Sequence, residues 1–136
     1  MTRALFDTNV LLDVLANRAP FAEDSRAALG RAEVGRIDGF AAAHAVTTLH
    51  YFLARDIGRA KARRALTDLM RIVDVAAVDA DRIRHALALD WTDFEDAVHV
   101  ACAEAIGADY IVTRDKKGFR RSPVRPLTPT ELAALR

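Results

Sequence analysis

The sequence has 136 residues, of which 51% are hydrophobic and 29% are charged, and its formal net charge is +1. This length and apolar content suit one globular domain with its own core, so we expect residues 1–136 to form a single domain. A net charge this small excludes a strongly basic protein that binds nucleic acid over its whole surface.

The lengths of the apolar runs and the number of cysteines further restrict the class of protein. No uninterrupted apolar run approaches the roughly 20 residues that a membrane-spanning helix needs, and no apolar leader precedes Asp7. The single cysteine, Cys102, excludes an internal disulfide bond and a cysteine-rich zinc site. We therefore expect a cytoplasmic protein with no contact to a membrane.

Apolar periodicity and turn residues predict strands that alternate with helices along the chain. The predicted elements are, in chain order, strand Arg3–Phe6, helices Asn9–Leu15 and Phe21–Val34, strand Asp38–Ala42, helices 44–55 and 59–71, strand Ile72–Val78, a helix capped by Asp79 that ends at Leu89, a helix with a Thr92–Glu95 capping box that ends before Gly107, strands Asp109–Thr113 and Val124–Leu127, and a short helix capped by Thr130. This alternation indicates an α/β domain with a central parallel sheet flanked by helices.

Acidic residues stand where two of these strands end. Asp7 directly follows the first strand and Asp115 closely follows the fourth. Asp93 and Asp96 lie in the first turn of the preceding helix, and their i, i+3 spacing puts them on one face. Because parallel α/β sheets bind ligands beyond the carboxyl ends of their strands, we expect these four side chains to approach one another.

Converging carboxylates require protons or a cation. Two unit charges ~4 Å apart repel by about 4 kcal/mol at an effective dielectric constant of about 20. Aspartate oxygens suit Mg²⁺ or Mn²⁺ better than Zn²⁺, and such a cation serves phosphate chemistry. Purely structural reasons for these acids also stay open. Asp7 could be a helix N-cap, the acids at 93–96 could be favoured by the helix dipole, and Asp115 could form a turn.

The remaining polar and aromatic residues show no spacing that indicates a catalytic or metal-binding site. Asp13 lies on the first helix and is expected to face solvent. Trp91 is expected to pack as a hydrophobic staple ahead of its helix. No ligand spacing relates the four histidines, which are His44, His50, His85 and His99.

Three stretches carry acidic motifs in a fixed order: DTNVLLDVL at 7–15, DFEDAVHVACA at 93–103 and GADYIVTRDKKGF at 107–119. Together they resemble the motifs of PIN-domain ribonucleases, particularly VapC-like toxins of bacterial toxin–antitoxin pairs. The resemblance extends from residue 4 to about residue 130. It implies a PIN-like domain that cleaves RNA with Mg²⁺ or Mn²⁺.

The resemblance also implies roles for individual residues. Asp7, Asp96 and Asp115 correspond to the family's metal-binding catalytic acids, and Asp93 to the additional acid of the DFED form of the motif. Asn9 and Thr113 are suited to hydrogen-bond the carboxylates or an RNA phosphate, although either could simply cap an element end.

The chain departs from the family pattern at Thr48, where these proteins commonly have a glutamate; no acid lies between Asp38 and Asp56. The Thr48 hydroxyl is a candidate to fix a metal-bound water, and Asp93 is a candidate to supply the missing charge. The departure leaves open a catalytically impaired PIN module that binds RNA or a protein partner. A Mg²⁺-dependent phosphatase-like or response-regulator-like domain is less favoured, because we find no strand-end lysine or nucleophile motif.

Two basic stretches are candidates for contact with RNA phosphates. They are Arg114, Lys116, Lys117, Arg120, Arg121 and Arg125, and Arg55, Arg59, Lys61, Arg63 and Arg64. The resemblance further implies a homodimer and a cognate antitoxin that covers the active-site groove. Leu49, Phe52 and Leu53 are candidates for that groove, the dimer contact or the core.

Overall fold

Five strands and seven α-helices alternate along the chain in the computed structural model, which describes all of residues 1–136. The strands are β1 (Arg3–Phe6), β2 (Asp38–Ala42), β3 (Val73–Ala76), β4 (Tyr110–Val112) and β5 (Arg125–Leu127). The helices are α1 (Thr8–Leu15), α2 (Ala22–Glu33), α3 (Ala43–Ile57), α4 (Arg59–Leu69), α5 (Ala80–Leu89), α6 (Phe94–Ala105) and α7 (Pro129–Ala133), and a 3₁₀ turn spans Lys116–Phe119. None of these helices has the length and hydropathy that crossing a lipid bilayer requires.

The strands form one sheet in the order β3-β2-β1-β4-β5, and every neighbouring pair is parallel. The prediction of an α/β fold with a central parallel sheet flanked by helices is therefore confirmed. The chain builds β1, β2 and β3 toward one edge and then returns to add β4 and β5 on the other side of β1. In open parallel sheets a ligand crevice forms where the strand order reverses, which here is at the carboxyl ends of β1 and β4.

Two apolar clusters cover the two faces of the sheet. Successive residues of a strand point to opposite faces, so Phe6 joins one cluster and Leu5 the other. In α6 the whole run Ala97–Ala103 is buried. This burial fixes the first turn of α6, which carries two of the candidate acids, beside the strand ends.

Two predicted helix caps are wrong. The N-cap of α6 is Asp93, whose carboxylate accepts a hydrogen bond from the Asp96 backbone amide at 3.0 Å, and Thr92 is exposed. The last helix is capped by Thr128 rather than Thr130, with Glu131 completing a capping box. Pro129 takes the first helical position, where its missing N–H costs no hydrogen bond, and this sets the start of α7.

Candidate functional site

Asp7 is a buried carboxylate at the end of β1, with 8% of its surface exposed. It occupies the N-cap position of α1, but its side chain makes no capping hydrogen bond. Instead its Oδ2 accepts a hydrogen bond from the Thr113 hydroxyl at 2.9 Å, and its backbone amide donates to the Val112 carbonyl at 2.8 Å. The Asp7 carboxylate is thus held between β1 and β4 and does not serve to start the helix.

Asp115 lies in the segment that follows β4. Its backbone amide donates to the Thr113 hydroxyl oxygen at 3.0 Å, and its Oδ1 accepts from the Gly118 amide at 3.2 Å. A Cβ placed on Gly118 would lie 2.9 Å from Asp115 Oδ2 and 3.1 Å from Asp96 Oδ2. The carboxylates of Asp96 and Asp115 therefore lie against the same glycine, one from α6 and one from the β4 side.

Asp96 is the half-buried member of this acidic set. Burial, together with the negative charges of Asp93, Asp7, Glu95 and Asp115, raises its pKa to about 7. Asp93 and Glu95 are neighbours of Asp96 in the sequence, whereas the fold brings Asp7 and Asp115 to it. At neutral pH the group therefore favours a proton or a cation among its oxygens.

An acidic cleft of about 340 Å³ opens over the carboxylates of Asp93, Asp96 and Asp115. Its lining residues are Trp91, Thr92, Asp93, Asp96, Asp115, Lys117, Gly118, Arg120 and Arg121. The Trp91 ring packs edge-on against Phe119, with ring centroids 6.3 Å apart, and the Arg121 guanidinium lies 5.9 Å from the Trp91 ring centre. The cleft is thus lined by three carboxylates, by three cationic side chains and by the Trp91 ring.

Asp13 does not face solvent, contrary to the sequence-based expectation. Its side chain is fully buried and forms ion pairs with Arg18 at 3.2 Å and Arg114 at 2.8 Å. Burial raises the pKa of Asp13, while the positive charges of Arg114 and Arg18 oppose that rise. Arg114 also lies 3.8 Å from the centre of the Phe21 ring. It therefore ties α1 and the start of α2 to the segment that carries Asp115.

The predicted basic stretch after β4 thus divides into two groups. Arg114 is paired with Asp13, and Lys116 is paired with Glu131 at 2.9 Å. Lys117, Arg120 and Arg121 line the acidic cleft, where they are available to a bound anion.

Two of the predicted supporting residues make no contact with the acids. The Thr48 hydroxyl donates to the His44 backbone carbonyl of its own helix at 3.3 Å. Asn9 is exposed in the first turn of α1 and makes no side-chain hydrogen bond. Thr113 alone of the three predicted supporting residues hydrogen-bonds an acidic side chain.

Two of the histidines, which no ligand spacing in the sequence relates, lie together in the structure. The rings of His44 on α3 and His99 on α6 stack edge-on with centroids 4.7 Å apart. With Glu95 they form a histidine cluster whose ligand atoms all lie within 4.8 Å of one another. Burial and, to a smaller extent, the neighbouring His99 together lower the pKa of His44 to about 4. The i, i+4 spacing of Glu95 and His99 was the available sequence signal; His44 joins them only through the packing of α3 on the domain.

The three apolar residues of α3 that were candidates for the groove, the dimer contact or the core differ in burial. Leu49 and Leu53 are fully buried in the core. Phe52 is half-buried under the Arg55 guanidinium, beside Tyr51, which is 64% exposed. Of the three apolar candidates, only Phe52 is therefore available to another chain, together with its neighbour Tyr51.

Comparison with known protein families gives one match. The family model of the PIN domain matches residues 3–117, a span that holds all four candidate acids. A comparison with curated proteins gives no match.

Solved structures with a similar fold include several toxins and toxin–antitoxin complexes. A toxin–antitoxin complex from Klebsiella pneumoniae aligns with a TM-score of 0.72 at 23% identity, over 94% of this chain and 98% of that one. VapBC-1 from nontypeable Haemophilus influenzae aligns with a TM-score of 0.73 at 15% identity, over 95% and 99% of the two chains. VapC20 from Mycobacterium tuberculosis, described as a toxin that cleaves the sarcin–ricin loop, aligns with a TM-score of 0.69 at 16% identity, over 87% and 94%.

Proposed function

The chain belongs to the PIN domain family, and from that premise we propose that it is a metal-dependent endoribonuclease and the toxin of a toxin–antitoxin pair. The observation that carries this proposal is the approach of Asp7, Asp96 and Asp115 at the crevice between β1 and β4. We also propose that residues 1–136 constitute a single PIN domain.

The acidic set fits a hard divalent cation. All of its donors are carboxylate oxygens, which suit Mg²⁺ or Mn²⁺. The pKa of Asp96 is raised first by burial and then by the neighbouring negative charges, which no cationic side chain neutralises by an ion pair. We assign Asp7, Asp96 and Asp115 as the metal ligands, with Asp93 as an additional catalytic acid. A cation held there would lower the pKa of a bound water and stabilise negative charge on the scissile phosphate.

The chain's own residues orient this site and its substrate. Thr113 fixes the Asp7 carboxylate and, through the Asp115 amide, the start of the following loop. Lys117, Arg120 and Arg121 offer positive charge to the phosphates that flank the cleaved bond. Trp91 offers a ring on which a single-stranded base can stack.

The same proposal includes partners. Structural relatives are described as toxin–antitoxin complexes, which supports a cognate antitoxin for this chain. We propose a homodimer whose contact includes Tyr51 and Phe52, because this edge exposes aromatic surface. We further propose a cytoplasmic location, where an RNA substrate and an antitoxin are both present.

A catalytically impaired PIN module that binds RNA or protein is the second candidate. It is favoured by Thr48, which stands at the position of the family's usual glutamate and gives its hydroxyl to a backbone carbonyl of α3. The first candidate needs only the four aspartates, whereas the second predicts binding without cleavage.

Inducible expression in a bacterial host tests the toxin proposal. Expression of the wild-type protein should arrest growth and produce RNA fragments with defined ends, and Asp96→Asn should abolish both effects. Asp74→Asn, an exposed carboxylate on β3, is the matched control and should remain toxic. Arrest by wild type and Asp96→Asn alike, with intact RNA, would contradict nuclease toxicity and favour the binding module.

A further inference from the structure

The histidine cluster of His44, Glu95 and His99 differs in chemistry from the acidic cleft. It offers two imidazoles and one carboxylate, with ligand atoms no more than 4.8 Å apart. Glu95 is exposed, His44 is half-buried and His99 is fully buried. The cluster therefore reaches from the surface into the interior, between the first turn of α3 and the first two turns of α6.

His99 has the tautomer of a metal ligand that binds through Nε2. Its Nδ1 lies 3.0 Å from the Glu95 backbone carbonyl. A carbonyl oxygen can only accept a hydrogen bond, so Nδ1 carries the proton and Nε2 carries the lone pair. Metal-binding histidines are commonly fixed in this way, with the second ring nitrogen donating to a backbone carbonyl.

The lone pair of His99 has no protein donor. Nε2 is buried and unpartnered, and neither ring nitrogen of His44 has a hydrogen-bond partner in the protein. Buried polar atoms are rarely left in this state, because losing hydration without a replacement bond is unfavourable. Two imidazole rings with unpartnered buried nitrogens in one small cluster point to a shared ligand, which would bind one nitrogen of each ring.

We propose that His44, Glu95 and His99 bind a Zn²⁺ ion, or a similar borderline transition metal, at a site separate from the carboxylate set. Two histidines and a glutamate form a known zinc donor set that leaves a position for water. Imidazole ligands select such ions over Mg²⁺. A tetrahedral ion spaces its ligand atoms roughly 3.4 Å apart, and the exposed Glu95 side chain is free to close the remaining distance.

An ion bound at this site would link the start of α3 to the start of α6. Glu95 lies between Asp93 and Asp96 in the first turn of α6, and His44 lies in the first turn of α3. The ion fastens these two helix starts to each other and so restrains the turn that carries two acids of the cleft. The site does not depend on ribonuclease activity, and its test does not use RNA.

Cobalt spectroscopy tests the proposal, because Co²⁺ replaces Zn²⁺ and absorbs visible light much more strongly in a tetrahedral site with nitrogen ligands than in an octahedral oxygen site. Purified protein is titrated with Co²⁺ in excess Mg²⁺, which occupies carboxylate sites. Wild type and His50→Ala, a matched histidine variant on α3, should each bind one Co²⁺ with strong absorption that Zn²⁺ removes. His44→Ala and His99→Ala should lose it.

Glu95→Gln guards against misfolding as an explanation, since Glu95 is exposed. This variant should keep the circular dichroism of the wild type and bind Co²⁺ about tenfold or more weakly. Zn²⁺ should also raise the thermal midpoint of wild type and His50→Ala but not of His99→Ala. Equally strong absorption in the wild-type, His44→Ala and His99→Ala proteins would overturn the proposal. The absence of strong absorption in the wild type would also overturn it, and a water molecule rather than a metal would then be the hydrogen-bond partner of the histidine nitrogens.

Discussion

The Thr113 hydroxyl donates a hydrogen bond to the buried Asp7 carboxylate, with 2.9 Å between the oxygens. The same hydroxyl oxygen accepts the backbone amide of Asp115 at 3.0 Å. One small side chain therefore joins an acid at the end of β1 to the loop after β4. The register of these two strands, with Phe6 opposite Val112, makes that contact possible.

Removing this hydroxyl should weaken both the fold and the site. Thr113→Val keeps the shape but leaves the buried Asp7 oxygen without its donor, so we expect a loss of about 1–3 kcal/mol in the free energy of unfolding. Thr113→Ser restores the donor and should recover most of that loss. Urea denaturation of the three proteins measures the difference, and equal stability of the valine and serine variants would show that the hydrogen bond contributes nothing.

The buried ion pair between Asp13 and Arg114 should be a large contributor to stability. Arg114→Ala leaves the fully buried Asp13 with Arg18 alone and removes the contact with Phe21, so we expect a loss of about 3 kcal/mol or more. Arg71→Ala, which breaks an exposed pair with Asp68, should cost less than about 1 kcal/mol. Comparable losses in the two variants would contradict the structural role of the buried pair.

The metal-free protein should become less stable between pH 4 and pH 7 because of Asp96. Its pKa is about 7 in the folded state and 3.8 ordinarily, so in this range the folded protein retains a proton that the unfolded chain has released. The Asp96 contribution therefore falls as pH rises from about 4 to about 7. Asp96→Asn should lack this component, whereas the exposed-site variant Asp74→Asn should retain it.

The decisive quantity is the difference in unfolding free energy between wild type and Asp96→Asn, measured in a chelator at several pH values. That difference should shift against wild type as pH rises, and saturating Mg²⁺ should remove the shift. Identical pH profiles for wild type and Asp96→Asn would mean that Asp96 titrates normally.

Gly118 should be important for the site rather than for the fold. A methyl group there would lie 2.9 Å from Asp115 Oδ2 and 3.1 Å from Asp96 Oδ2, so Gly118→Ala must displace side-chain carboxylates. We expect near-normal thermal stability with cleavage reduced by about tenfold or more, because small misplacements of reacting groups are costly. Gly30→Ala is the matched control, since a Cβ at that position meets no atom within 4 Å. Full activity of Gly118→Ala would argue against carboxylate positioning at this glycine.

The alternation of strands and helices could be predicted because each element carries its own periodic signal. β1 and β2 have the predicted bounds, and Asp79 caps α5 as predicted. The placement of Asp7 and Asp115 at strand ends also followed from local sequence. Parallel strands bring such positions to one edge of the sheet whatever their separation along the chain.

Side-chain partners between distant segments could not be predicted in the same way. Asp13 appears polar on an amphipathic helix, and its burial depends on ion pairs with the nearby Arg18 and with Arg114, which arrives from the distant segment after β4. His44 and His99 likewise lie on helices that are distant in the sequence, and they meet through helix packing. The prediction of a capping box at Thr92 was wrong because Asp93, one residue later, is the N-cap of α6.

The most direct test of the ribonuclease proposal is the cleavage of a structured RNA pool by the purified protein. With Mg²⁺ or Mn²⁺ we expect cleavage that a chelator stops, that Asp7→Asn and Asp96→Asn abolish, and that Asp74→Asn leaves unchanged. That result would also show that Thr48 replaces the usual glutamate without loss of the reaction. RNA that is bound by the wild-type protein but left intact under both metals would contradict the proposal and identify a binding module.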